Sequence, residues 1–179
     1  MNADNESNEL YRRHEVKVCT GDLLFTGMLR CGINQRLIDA INEGVPAGTS
    51  ALSLHFLPLS NVEEKSSGSG IQKYHELHIA KSNILFVGRG VHEIKETTLN
   101  SYPYRQKVSM PVKILATPYT ILGNIHIDTW GQLPDTIESG AMFFPITSAQ
   151  VTPAPPGGHD HFDFMAINRT RIIYLHEET

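Results

Sequence analysis

Residues 16–29 read VKVCTGDLLFTGML, and residues 112–125 read VKILATPYTILGNI. Laid over one another at an offset of 96, they match Val16 to Val112, Lys17 to Lys113 and Gly27 to Gly123. Further along at the same offset, Leu37, Asp39 and Gly44 fall on Leu133, Asp135 and Gly140. At an offset of 87, Phe56-Leu57-Pro58-Leu59-Ser60 falls on Phe143-Phe144-Pro145-Ile146-Thr147. At an offset of 88, AKSNILFV (80–87) falls on NRTRIIYL (168–175). Three blocks in one order, separated by small gaps, predict a tandem duplication with copies at 11–88 and 108–179. Residues 1–10 are expected to be a disordered N-terminus, and residues 89–107 a linker.

Each copy reads as about five short strands and a short helix. Val16, Val18, Leu24, Met28 and Cys31 flank a Gly-Asp turn and predict a hairpin. Gly27 and Gly123 lie inside the second strand, a position that suits a bend or a close backbone approach. In NQRLIDAINEG (34–44), Leu37, Ile38 and Ile41 stand at helical spacing and Gly44 is a stop. The matching stretch carries Pro134, which suits only a helix start. ALSLHFLPLSNVEE (51–64) and AMFFPITSAQV (141–151) are each expected to be a strand, a proline break and a short continuation, because proline cannot donate to a ladder and marks an edge or a bulge. Units of this size have marginal cores alone, so the copies are expected to pack together or share a sheet. The fold class is therefore mainly β, as two small barrels or strongly twisted sheets.

The hairpin with its strand glycine (Gly27, Gly123) and LFVGRGVHEI (85–94) carry a resemblance to the Sm-like class of small β-barrels. The second element is similar to that class's second motif, a strand followed by Arg-Gly and an aliphatic residue. The resemblance implies a five-stranded unit. In that class an Asp and an Asn closely follow the glycine, whereas Asp39 and Asn42 come much later and YLHEE replaces VGRG in the second copy. The uridine-binding residues are therefore not carried over. RLIDAIN (36–42) with FLPL (56–59) also resembles a pattern of uncharacterised bacterial domains with no known chemistry.

The 179 residues carry a formal net charge of −4, with 40% apolar and 19% charged side chains. Such a globular chain has no overall field to draw in nucleic acid or anionic lipid. No run approaches the roughly 20 apolar residues of a membrane span. The opening MNADNESNEL has no apolar core of a secretory signal. Cys19 and Cys31 do not make a disulfide framework; on neighbouring strands of the hairpin they could face one another, but Leu115 and Ile127 replace them in the second copy, which reads them as small core residues. A cytoplasmic setting is expected.

Nine histidines are present. His159 and His161, at strand spacing, would share a face and could ligate zinc or iron with Asp163 as a carboxylate ligand. The bland reading makes them solvated strand-entry residues beside a loop, as for His75 and His78, and the first copy does not repeat the cluster. Asp39 and Asp135 are the best-matched polar pair, read as helix caps or backbone acceptors, with a duplicated catalytic pair as the alternative. Arg89, Arg105 and Lys107 interleave with Tyr102 and Tyr104, which would suit an RNA contact or a solvated linker. The matched positions are glycines, core aliphatics, prolines and turn residues. That points to a non-enzymatic interaction or scaffold protein without a cofactor, whose partner is itself or another protein. Metal-dependent chemistry and RNA binding are the alternatives.

Overall fold

The computed structural model describes residues 11–45, 52–68, 70–90, 107–129, 131, 133–138 and 140–178. Its ten strands form one antiparallel sheet. In chain order the elements are β1 (Tyr11–Cys19), β2 (Leu23–Gly32), α1 (Leu37–Glu43), α2 (Leu52–His55), β3 (Phe56–Ser66), β4 (Gln72–Ala80), β5 (Phe86–Arg89), β6 (Lys107–Ala116), β7 (Tyr119–Asp128), α3 (Leu133–Glu138), β8 (Phe143–Thr152), β9 (His161–Asn168) and β10 (Tyr174–Glu177). Short 3-10 turns at Lys81–Asn83 and Arg169–Arg171 lead into β5 and β10. The sheet order is β10-β6-β7-β8-β9-β5-β1-β2-β3-β4.

The predicted hairpins form with Val16 opposite Gly27 and Val112 opposite Gly123. Both glycines are required by a close approach. A Cβ on Gly27 would lie 3.0 Å from Val62 Cγ2 and 3.3 Å from the Ser60 carbonyl, and one on Gly123 3.2 Å from both Ile146 Cδ1 and the Thr147 carbonyl. At each glycine the next ladder slips, between Thr26 and Met28 and between Leu122 and Asn124. Opposite the slips stand Asn61 (φ 52°) and Ser148 (φ 50°), in the left-handed conformation a bulge uses to absorb an extra residue. The prolines lie past the last rungs of those ladders, Met28–Ser60 and Asn124–Thr147, so no bond to β2 or β7 is lost. On the other side Pro58 pairs with His78 and Pro145 with Ala166.

Register repeats elsewhere too. Phe86 sits opposite Cys19 and Tyr174 opposite Leu115; Phe56 sits opposite Ala80 and Phe143 opposite Asn168. The first five strands pair in the order β5-β1-β2-β3-β4, the last five in the order β10-β6-β7-β8-β9, and the β5–β9 ladder joins them.

The shared sheet has two cores. One takes Val112, Ile114, Ile121, Ile146 and Met165 from the second half with Cys19, Leu85 and Phe86 from the first. The other takes Val16, Val18, Leu57 and Ile84 from the first half with Phe143 and Ala166 from the second. Alternation along β5 explains the exchange: Phe86 points into one core and Val87 into the other. Each half thus completes its apolar burial with residues of its neighbour.

Three expectations are corrected. No rung closes either half into a barrel among the described residues; the ladder is open, with β4 and β10 at its ends. Leu52–His55 is a helical turn rather than strand, and β3 starts at Phe56 and runs through Pro58. Cys19 and Cys31 are buried thiols outside any disulfide, as core residues should be, but they do not face one another: Cys19 pairs with Leu24 and Cys31 with Arg12, at opposite ends of the hairpin. Residues 1–10 lie outside the described residues. Among those described, no helix is long and apolar enough to cross a membrane.

Candidate functional site

The chemistry of the fold concentrates at the β5–β9 junction and at the two open edges that carry the corresponding strands. At the junction, Phe86, Val87, Gly88 and Arg89 oppose Ile167, Ala166, Met165 and Phe164. Gly88 is required there: a Cβ would collide with the Cδ1–Cε1 edge of the Phe162 ring. Phe162 meets Phe86 edge-on, with centroids 5.7 Å apart, and Phe86 meets Tyr119 at 6.0 Å. Such pairs add about 0.5–1.5 kcal/mol beyond their burial. The Tyr119 hydroxyl donates to the Gly21 carbonyl at 2.7 Å, and its burial raises its pKa, as burial does for the Cys19 thiol beside it.

Four residues close the junction in a polar circuit. Asn42, near the end of α1, donates through Nδ2 to the Phe143 carbonyl and accepts the Phe143 N–H at Oδ1, both at 2.9 Å. Phe143 is the ladder partner of Asn168. Asn168, fully buried, donates through Nδ2 to the carbonyls of Lys81 (3.1 Å) and Ile84 (2.9 Å). Lys81, 1% exposed, donates through Nζ to the Asn42 carbonyl at 2.9 Å. Burial of that amine lowers its pKa to about 8, because the low-dielectric surroundings disfavour the ammonium. Asn42, Lys81 and Asn168 do not stand out as a group in the sequence. A usable signal existed: at otherwise matched positions they face Glu138, Arg169 and Ala80.

The open edges carry the counterparts of the joined strands. β10 stands to the second half as β5 does to the first, yet Ile173 is 63% and Tyr174 44% exposed, where their counterparts Leu85 and Phe86 are 1% and 0% exposed. The backbone agrees, since Leu85 N–H donates to Cys19 and Ile173 N–H to Leu115, both at 2.8 Å. Among the described residues the outer backbone groups of β4 have no strand partner, and His75, Glu76 and His78 are exposed beside half-buried Leu77. In the second half Arg169 occupies the place of Lys81, and its Nε and Nη2 are buried without a hydrogen-bond partner among the described residues.

The other candidates are dispersed. His161 and Asp163 share the exposed face of β9, but His161 Nδ1 is 2.9 Å from Asp160 Oδ1, which lowers the Asp160 pKa. His159 lies in the loop before β9, its ring edge-on to Phe162 at 5.5 Å. Among the described residues no three His, Cys, Asp or Glu side chains are placed to hold a metal ion. Asp39 caps nothing; it makes a two-point ion pair with Arg36 on the exposed face of α1, both contacts at 2.7 Å. The backbone of Asp135 lies in α3, and its side chain is outside the described residues. Arg89 lies over Phe164 in β5, and Lys107 opens β6 across three intervening strands of the sheet order. Tyr102, Tyr104 and Arg105 lie outside the described residues. Comparison with protein-family models, curated proteins and solved structures found no match.

Proposed function

We propose that the chain is a non-enzymatic, β-rich scaffold protein made of two diverged copies of a small Sm-like five-stranded unit, and that it acts by self-association. The duplication is supported by matched registers, by a bulge at the same glycine in each half, and by Asn61 and Ser148 sharing one unusual backbone conformation. The resemblance to Sm-like units is supported by the strand order of each half and the glycine-bearing second strand.

The observation that carries self-association is the pair Ile173 and Tyr174. These residues lie at the start of β10, which pairs with β6 on one side and forms the open end of the described sheet on the other, at positions whose counterparts Leu85 and Phe86 are fully buried where β5 is joined to β9. An open edge presents free N–H and C=O groups, and apolar side chains beside it give a partner strand something to bury. Charges on β4 restrain indiscriminate pairing, as edge strands commonly require.

The test is the mass in solution by light scattering, with elemental analysis of the same natively purified sample. Self-association predicts a mass above the 19.9 kDa of one chain and no stoichiometric metal. A monomer at all concentrations would overturn it. A monomer with one equivalent of zinc or iron would direct attention to His159, His161 and Asp163.

A further inference from the structure

We infer that the partner at these edges is a second copy of the same chain, docked head to tail with β10 of one chain on β4 of the next, in the register of the internal β5–β9 ladder, and that this outer junction is the exchangeable one. The inference rests on the reading of the two halves as equivalent units.

The internal junction supplies the template. Phe86 opposes Ile167 and Gly88 opposes Met165; carried to the matched positions, Tyr174 opposes Ile79 and His176 opposes Leu77 of the next chain. The edges are of different kinds, β10 a fifth strand and β4 a fourth, so the contact is heterologous and each chain offers one of each. Such contacts propagate into a closed ring or an open filament rather than stopping at a two-fold dimer.

Three substitutions make the outer copy weaker than the inner. Ala80 stands where Asn168 makes its two side-chain hydrogen bonds to the Lys81 and Ile84 carbonyls. His176 stands where Gly88 leaves room for the Phe162 ring, so Tyr74, at the Phe162 position, must swing aside. Glu177 comes opposite Glu76, and like charges directly opposed on a ladder are unfavourable. Against these, Ile173 and Tyr174 gain the burial that Leu85 and Phe86 already have. The second half's corner is left with Arg169 Nε and Nη2 unpartnered among the described residues, where the first half's corner is closed by Lys81.

The test uses Leu77→Cys and His176→Cys, each in the full chain, oxidised singly and as a mixture, with unmodified protein as control because its own thiols are buried. Opposed antiparallel residues lie about 4.5–5.5 Å apart between Cα atoms, within disulfide reach. The inference predicts a covalent dimer in the mixture only. Dimers from either variant alone, or none from the mixture although the native protein exceeds monomer mass, would overturn the head-to-tail register and leave the scaffold reading standing. Monomeric native protein would remove both. Ala80→Asn, which restores the amide facing the Arg169 and Ile172 carbonyls of the next chain, should tighten association roughly tenfold; unchanged or weakened association would contradict the assignment of Ala80 as the weak point.

Discussion

The side-chain amide of Asn42 closes a two-point hydrogen bond on the backbone of Phe143, 101 positions later in the chain. It mimics one more rung of sheet between a helix of the first half and a strand of the second. Asn42→Leu fills similar space and leaves the Phe143 N–H and C=O unpaired. The expected loss is about 1–3 kcal/mol of unfolding free energy, the range for stranding buried polar groups, measured by urea denaturation. A loss below about 0.5 kcal/mol, within the spread of ordinary surface substitutions, would show that the clamp does not hold the halves together.

Gly88 and Phe162 form the apolar counterpart of that clamp. Gly88→Ala drives a methyl group into the ring and should destabilise the protein by about 1–3 kcal/mol, as overpacking does. The double variant Gly88→Ala with Phe162→Leu should lose less than the sum of its parts, since the second change removes what the first collides with. Strict additivity in a double-mutant cycle would contradict the contact.

Lys81 gives the fold a signed pH dependence. Its pKa falls from an ordinary 10.5 in the unfolded chain to about 8 in the folded one. Between those values the unfolded state binds more protons, so this group raises stability as pH increases through the window, and below about 8 it imposes the full cost of a buried ammonium. Lys81→Met removes that contribution. The stability of wild type relative to Lys81→Met should rise by on the order of 2–3 kcal/mol between pH 7 and pH 10.5, followed by denaturant titration at each pH. Taking the difference cancels Cys19 and Tyr119, whose raised values act in the opposite direction at high pH. A flat difference would mean that the amine is not buried as described.

Much of the sheet was legible because it obeys local rules. Period-two alternation and Gly27 and Gly123 in their strands each have a cause within a few positions. The strand order was not legible, since β5 pairs with β1 and β9 rather than with β4, from which it follows in sequence. The Leu52–His55 turn was hidden inside an apolar run that reads equally well as strand. Asp39, on the short helical stretch, was expected to cap a turn or accept a backbone hydrogen bond, yet Arg36, three residues earlier, pairs with both its oxygens. The junction circuit stayed invisible because Asn42, Lys81 and Asn168 meet only after folding. The positions that match between the aligned halves do not include them; they are positions at which the aligned halves differ.

Amide hydrogen exchange followed across a concentration series reads out the two open edges themselves. If the open edges are where copies of this chain meet, the N–H groups of β4 and β10 should gain protection together as concentration rises, while the β5–β9 ladder stays protected throughout. Rapid exchange at both edges in a sample whose mass exceeds one chain, or protection of one edge without the other, would contradict association through this pair of strands.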